Sequence, residues 1–361
     1  MNPLKYFLKM HDRAITSEYG FQLDLLSCES LMRDGSKSFF SASRILPSNI
    51  RDSAIALYAF CRLLDDMVDD QNASDNVIEQ IEYRLDRIYS KNPLDIPADR
   101  ALALVVERFL IPRSLLEALV EGFKWDRTGR QYQTIEELCD YAARVASTVG
   151  VMMTLIMGIR DRAVLERACE LGLAMQLTNI ARDVGEDARN QRLYLPRDWL
   201  KEENIDPDQW LKNPIFNDGI LRVNQKLIQY ADDLYARSAF GFSGLPRNCR
   251  SAIAAASLIY SEIGRQIERQ GMDSVTKRAV VSKRRKILLL FKSLGAAIYS
   301  AKLVQSLDPI PAIQFLVDAV EPEGRYAHYS GSVEDRLIWV VSLLEKVEHR
   351  KIDSYHSFAR H

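Results

Sequence analysis

Two pairs of aspartates, far apart in the chain, share one spacing. Asp65 and Asp69 lie in Arg62-Leu63-Leu64-Asp65-Asp66-Met67-Val68-Asp69-Asp70, and Asp183 and Asp187 lie in Asn179-Ile180-Ala181-Arg182-Asp183-Val184-Gly185-Glu186-Asp187. On an α-helix a four-residue separation puts both carboxylates on one face, about 6 Å apart along the axis. Like charges so placed weaken a helix unless something positive lies between them. A hard divalent cation is the natural counter-charge, Mg²⁺ first and Mn²⁺ as the alternative. Mg²⁺ takes one or two protein carboxylates and completes its shell with water and phosphate oxygens, so two facing clusters would hold a polyphosphate as well as a metal. An EF-hand is excluded because its loop glycine and terminal glutamate are missing. Zinc is disfavoured: no Cys-x-x-Cys occurs, and His11, His328, His349, His356 and His361 are remote from both clusters in sequence. Solvated acidic helix faces are the plain alternative for either cluster alone. Two clusters, each set in apolar sequence beside an arginine, weigh against it.

The segments that must position these carboxylates are apolar. Ala54-Ile55-Ala56-Leu57-Tyr58-Ala59-Phe60-Cys61 leads into the first cluster and Leu171-Gly172-Leu173-Ala174-Met175-Gln176-Leu177-Thr178 into the second. Helices apolar nearly all round are buried. Charges at their ends then mark the mouth of a cavity with an ionic rim and apolar depth. Elsewhere Leu102, Val105, Val106 and Phe109 follow one helical stripe, and Leu115, Leu116, Leu119 and Phe123 another. Breaks fall at Asn92-Pro93, Ile111-Pro112, Leu195-Pro196, Asp206-Pro207, Asn213-Pro214 and Leu245-Pro246. The expectation is one all-α domain over residues 1–305, followed by an extension, 306–361, in which Val333 to Arg350 reads as one last helix.

The 361 residues are 47% apolar with a net charge of −1, which points to a substantial core and to no nucleic-acid partner. Cys28, Cys61, Cys139, Cys169 and Cys249 form no spacing pattern, and their odd number argues against a disulfide framework. The first ten residues hold too short an apolar run for a signal peptide, and no stretch approaches the ~20 apolar residues of a membrane span, so a cytoplasmic setting is expected. Residues 273–302 carry eight basic residues and one acidic one, interleaved with Ile287-Leu288-Leu289-Leu290-Phe291. That pattern suits peripheral contact with an anionic membrane surface, or a core helix with a solvated basic face.

With these residues in view, the chain resembles the squalene/phytoene synthases, most closely their bacterial phytoene synthase branch. The resemblance rests on Gly35-Ser36-Lys37-Ser38-Phe39, on Tyr58 to Asp69, on Gln176 to Asp187 and on Arg192-Leu193-Tyr194-Leu195-Pro196, in matching order and spacing over about residues 25–300. It implies an isoprenoid-synthase-type helical bundle with a central cavity, two Mg²⁺-binding aspartate motifs on opposing helices, and head-to-head condensation of two prenyl diphosphates. Carried over residue by residue, it implies metal binding by Asp65 and Asp69 and by Asn179, Asp183 and Asp187. Asp66 and Asp70 lie beside the first pair. Ser36, Lys37, Ser38, Arg62 and Arg182 would meet diphosphate, and Tyr58, Tyr141, Gln176, Tyr194, Tyr260 and Arg278 sit where the family has pocket residues. Where the family often has a histidine before Ser-Lys-Ser, this chain has Gly35.

The chemistry explains the residue types. Diphosphate leaves readily only when its charge is neutralised, here by metal with Lys37, Arg62 and Arg182. The allylic cation left behind must be kept from water and gains from aromatic faces, for which Phe39, Tyr58 and Tyr141 are candidates. The expected course is ionisation of one prenyl diphosphate, attack by the double bond of the other to give a cyclopropyl (prephytoene) diphosphate, a second ionisation, rearrangement and proton loss. Plainer roles stand beside each: the cations as partners of neighbouring aspartates, the aromatics as core residues, Gln176 and Asn179 as buried amides, Arg278 as part of a basic surface. Asn179 lies four residues before Asp183, on the same helix face.

Chain length should follow cavity depth. Ile55 lies on the stripe of Tyr58 and Arg62, and Ser43 one turn beyond Phe39; neither is a bulky floor, which predicts room for C20 chains and thus geranylgeranyl diphosphate going to phytoene in carotenoid biosynthesis. The alternatives are a squalene or dehydrosqualene synthase using farnesyl diphosphate, and a non-catalytic assembly or scaffold relative. The absence of a GxGxxG fingerprint disfavours a reductive last step. A scaffold would be expected to lose the four principal aspartates, all of which are present.

Overall fold

The computed structural model describes residues 20–70, 74, 76–297 and 307–321, with Lys37, Ser38, Ala296 and Ala297 in backbone only. Among these residues there is no strand: the fold is all-α. Helix α1 (20–35) and α2 (Lys37–Ser43) are divided by Ser36, whose hydroxyl caps α2 by accepting from the Phe39 amide. Then follow α3 (Ser48–Asp69), α4 (Val77–Tyr89), α5 (Pro97–Phe109) and α6 (Arg113–Arg127). α7 (Ile135–Ala142), capped by Thr134, runs through a π-helical turn (Ala143–Ser147) into α8 (Thr148–Ile156) without a break. α9 (Arg162–Arg189) is capped by Asp161. The rest are α10 (Arg197–Glu202), α11 (Pro207–Lys212), α12 (Asp218–Ser238), a 3₁₀ turn (Ala239–Gly244), α13 (Arg247–Arg269), α14 (Lys283–Ser293) and α15 (Gln314–Asp318). Prolines 112, 196 and 246 stand at the N-caps of α6, α10 and α13, and Pro207 opens α11, where a missing N–H costs nothing.

α9 is the axis of the bundle. Its 28 residues extend about 42 Å, and α7, the π turn, α8, α12 and α13 pack around it. Residues buried on every side, from Val164 and Leu173 to Ile180 and Val184, make it a core helix. α3 lies across the cavity, anchored by Leu57, Phe60 and Leu64; burying each such side chain contributes about 1.5–3 kcal/mol. The acidic clusters therefore sit at the C-terminal ends of two helices whose apolar bodies are fixed in the core.

The compact unit runs to Val320, not to 305. The stretch after Asp308-Pro309 has the composition of a linker, yet Ala312, Ile313, Leu316 and Val317 are buried and α15 packs on α8 and α9. Arg162 of α9 pairs with Asp318 at 2.7 Å, and Arg237 of α12 donates to the Asp308 carbonyl at 2.7 Å. The helix expected over Val333 to Arg350 lies outside the described residues. No helix among the described residues is long and apolar enough to cross a membrane.

Candidate active site

The last two turns of α3 carry Asp65, Asp66 and Asp69. Arg62, one turn earlier, reaches Asp65 at 3.1 Å and Asp66 at 2.5 Å. On α9, Asp183 is gripped by Arg182 at 2.5 Å and by Arg278 at 2.7 Å, and Arg278 also reaches Glu186 at 3.1 Å. Arg192, just past the end of α9, pairs with Asp69 at 2.7 Å and so ties the second cluster to the first across the mouth. Asp187 has no ion pair among the described residues.

The carboxyls divide by their surroundings. Burial, with Asp69 next in importance, pushes Asp65 up to about 6. Burial and the nearby Asp183 push Asp187 up to about 7. Burial also works against the charged form of Asp183, but hydrogen bonds from Arg182 and Arg278 outweigh it and hold that carboxyl below the usual range. Each cluster thus contains one carboxyl, Asp65 or Asp187, whose charged form is opposed by burial and by a neighbouring acid.

Asn179 sharpens this point. It lines the cavity one turn before Asp183, and its buried Oδ1 has no hydrogen-bond partner. Buried carbonyl oxygens rarely go unmatched. An orphaned oxygen one turn from Asp183, on the helix that also carries Asp187, fits a hard, oxygen-seeking cation. No three His, Cys, Asp or Glu side chains among the described residues converge closely enough to cage a metal alone.

Sequence reasoning missed Asp126. It ends α6 as a lone acid between Lys124 and Arg127, which reads as a solvated helix end. In the fold it accepts from Tyr141 Oη at 2.8 Å and Tyr194 Oη at 2.6 Å. Those two rings stack at 5.2 Å, and Tyr132 completes the cluster at 5.3 and 6.1 Å. Burial raises the Asp126 carboxyl despite both hydrogen bonds, and its charge is felt by Asp65 and Asp187. Tyr141 and Tyr194 accordingly stand at the mouth, not among the residues of the apolar wall.

Below the mouth lies an apolar cavity of about 310 Å³ between α2, α3, α8, α9 and α13. Phe39, Tyr58 and Tyr260 form an aromatic group on its wall, with Phe39 centred 6.1 Å from Tyr58 and 5.3 Å from Tyr260. Burial pushes the Tyr260 hydroxyl up to about 12, even though it shares a hydrogen bond with Ser36. Gln176 lines the cavity, as does Ser43, whose hydroxyl donates to the Phe40 carbonyl at 2.9 Å. Ile55 does not: α3 turns Ala54, Leu57, Tyr58 and Cys61 to the cavity and Ile55 into the core, about 100° round from Ala54. Arg62 belongs to the ionic rim. Gly35 has a steric reason, since a Cβ there would stand 2.5 Å from Tyr58 Oη. Space that a larger side chain would fill is taken by the tyrosine. The Lys37 and Ser38 side chains lie outside the described residues.

The squalene/phytoene synthase family profile matches residues 32–285. The chain belongs to this family. A phytoene synthase of Cereibacter sphaeroides is 47% identical over 310 residues, covering 82% of this chain and 87% of that one. A 15-cis-phytoene synthase of Pantoea ananas is 35% identical over 280 residues, covering 74% and 90%. Among solved structures, a dehydrosqualene synthase in complex with ligand superposes with a TM-score of 0.69 at 30% identity, over 77% of this chain and 97% of that one. A squalene synthase from Alicyclobacillus acidocaldarius gives 0.64 at 26% identity, over 70% and 95%. The acidic mouth and apolar cavity are thus features of a squalene/phytoene synthase family member.

Proposed function

We propose that this protein is an Mg²⁺-dependent prenyltransferase that condenses two geranylgeranyl diphosphates head to head, through prephytoene diphosphate, to phytoene in carotenoid biosynthesis. The observation that carries the reading is the union of an apolar cavity with an acidic mouth: Asp65 and Asp187, whose carboxyls are pushed up by burial and by neighbouring acids, and the orphaned Asn179 Oδ1. The phytoene synthases to which the chain is similar support the C20 substrate and product.

Asp65 and Asp69 on one side and Asn179, Asp183 and Asp187 on the other would hold Mg²⁺, or Mn²⁺ in its place, which supplies charge neutralisation to the diphosphate as it leaves. Arg62, Arg182, Arg192 and Arg278 already stand at the mouth, paired with carboxylates. With the carboxylates engaged by a metal, these guanidiniums would be available to phosphate oxygens, which Arg can meet with paired hydrogen bonds. By the family resemblance, Ser36, Lys37 and Ser38 at the start of α2 would meet the same group. The walls exclude water, and the faces of Phe39, Tyr58 and Tyr260 stabilise the allylic cation. Tyr141 and Tyr194 both donate to Asp126, which fixes the position of the two hydroxyls. Purified protein with Mg²⁺ and either C15 or C20 prenyl diphosphate, followed by mass spectrometry, tests the reading. A C40 hydrocarbon from C20 is expected. C30 product alone would make it a squalene- or dehydrosqualene-type enzyme, and no product from either would favour a scaffold role.

The reading includes contact with the cytoplasmic membrane surface through α14. Ile287, Leu288 and Phe291 are 53%, 55% and 68% exposed, in a helix that also carries Lys283, Arg284 and Lys292. Apolar and basic groups on one helix suit an anionic bilayer, which would receive the lipid product. Arg285 is a different case: it pairs with Glu262 at 2.8 Å. Co-sedimentation with anionic vesicles should be lost in Lys283→Glu with Arg284→Glu; unchanged binding would refute this contact.

A further inference from the structure

One face of α9 runs the whole length of the cavity. Val164, Arg167, Ala168, Leu171, Met175 and Asn179 all line it, and Asp183 lies one turn beyond Asn179 towards the mouth. From Asp183 back to Arg167 is sixteen residues, or about 24 Å of helix. An extended C20 chain of sixteen bonds, advancing about 1.2 Å per bond, spans about 20 Å. With the diphosphate and its cation taking the first few ångströms, the tail would reach Arg167, one turn short of Val164, the last residue of this helix in the lining.

Arg167 is an unusual residue to meet there. The cavity is otherwise lined mainly by Ala, Leu, Met and Val, but Arg167 brings a guanidinium that is only 2% exposed. Its Nη2 donates to Glu170 Oε1 at 2.9 Å and its Nε forms an ion pair with Oε2 at 2.6 Å, while neither Nε nor Nη1 makes a hydrogen bond. Glu170 is fully buried and is held from the other side by Arg237, at 2.8 and 2.6 Å. The stem of Arg167 is pinned as well: at Gly241 a Cβ would stand 2.5 Å from Arg167 Cβ. Methionine walls repack around an extra methyl group. A guanidinium clamped at head and stem cannot, and covering an unpartnered buried N–H with hydrocarbon adds a desolvation cost with no hydrogen bond in return.

We propose that Arg167, with Val164 one turn further on, closes the deep end of the prenyl cavity and is a specificity-determining residue for chain length, admitting C20 and rejecting a fifth isoprene unit. The inference rests on the prenyl-diphosphate reading above. Two measurements on the full chain separate them. Binding of unreactive C15, C20 and C25 prenyl thiolodiphosphates with Mg²⁺ reads the floor, and products from the diphosphates read the reaction. The native protein should bind C20 at least tenfold more tightly than C25. Arg167→Met, similar in length and uncharged, leaves Glu170 its bonds from Arg237 and should narrow that ratio at least tenfold, whereas Arg167→Lys should keep it. Ala168→Leu, on the wall beside the floor, should move the preference from C20 towards C15. Equal binding of C20 and C25 by the native protein, or an unchanged ratio in Arg167→Met, overturns the floor. So does an unchanged preference in Ala168→Leu. Native protein that discriminates chain length but forms no C40 product would refute the reaction and leave the floor standing. C40 synthesis with unaltered ratios would do the reverse.

Discussion

Gly185 sits between Asp183 and Asp187, and Gly185→Ala separates a local from a tertiary account of that position. In an exposed helix the change would stabilise by about 1 kcal/mol. Here a Cβ would stand 2.1 Å from the Val275 carbonyl oxygen and 2.7 Å from Val275 C and Cα. The loop would have to retreat by more than about 1 Å to restore ordinary contact. It is not free to do so. The Gly185 amide donates to the Ser274 carbonyl at 2.9 Å, and Arg189 donates to the Val275 carbonyl at 3.2 Å. Buried Asn224 donates to the Ala181 and Met272 carbonyls, both at 3.2 Å, and to Ser274 Oγ at 3.1 Å. Weakening two of these bonds at about 1 kcal/mol each, with about 1–3 kcal/mol of overpacking, exceeds the gain in helix propensity and leaves a net loss of about 2–4 kcal/mol. For a domain of this size that lowers Tm by roughly 4–8 °C. The same loop leads to Arg278, so Asp183 should lose a partner and pyrophosphate binding with Mg²⁺ should weaken. Thermal unfolding followed by circular dichroism, with calorimetry of pyrophosphate binding, measures both. A Tm equal to or above that of the native protein would refute the close-approach argument.

Three further outcomes are expected. Asn179→Leu removes an unmatched buried oxygen, so the metal-free fold should be unharmed while Mn²⁺ affinity with pyrophosphate falls at least tenfold by calorimetry; unchanged affinity would exclude Asn179 as a ligand. Asp126→Asn should cut the rate of product formation at least tenfold with little change in Tm, because it alters the acceptor that orients Tyr141 and Tyr194; a native rate would mean that the hydroxyls are set by ring stacking alone. The folded-state values of Asp65, about 6, and Asp187, about 7, lie above those of the unfolded chain, so the stability they lend is complete at low pH and is lost as pH rises through those values. Metal-free protein should therefore lose Tm between about pH 4 and 7, while the Tm gain from Mg²⁺ with pyrophosphate grows; a gain independent of pH would contradict the assignment.

The aspartate pairs, their apolar flanks and the helix breaks could be read from the sequence because each is a local pattern. Spacing of three and four residues and a proline at a helix start need no knowledge of the fold. What escaped depends on distant partners. Asp126 gains its meaning from Tyr141, 15 residues away, and Tyr194, 68 away. Arg192 meets Asp69 across 123 residues. The choice between Ala54 and Ile55 for the cavity wall turned on one residue of helix rotation, finer than the width of an apolar stripe. The burial of 307–320 was hidden because prolines there mimic a linker while their apolar neighbours find α8 and α9.

The π turn between α7 and α8 has a consequence of its own. It holds an extra residue within an otherwise continuous rod. Tyr141, before it, meets Asp126, whereas Val145, Val149 and Met153, within and after it, line the cavity. Gly172 of α9 seats against it so closely that a Cβ would lie 2.7 Å from Ser147 Cα. The turn works as a phase shifter in a drive shaft: deleting one residue there would rotate the far half by about 100° and leave the near half in place. Evolution can therefore retune the half that gauges the hydrocarbon while the half that faces the acids keeps its register.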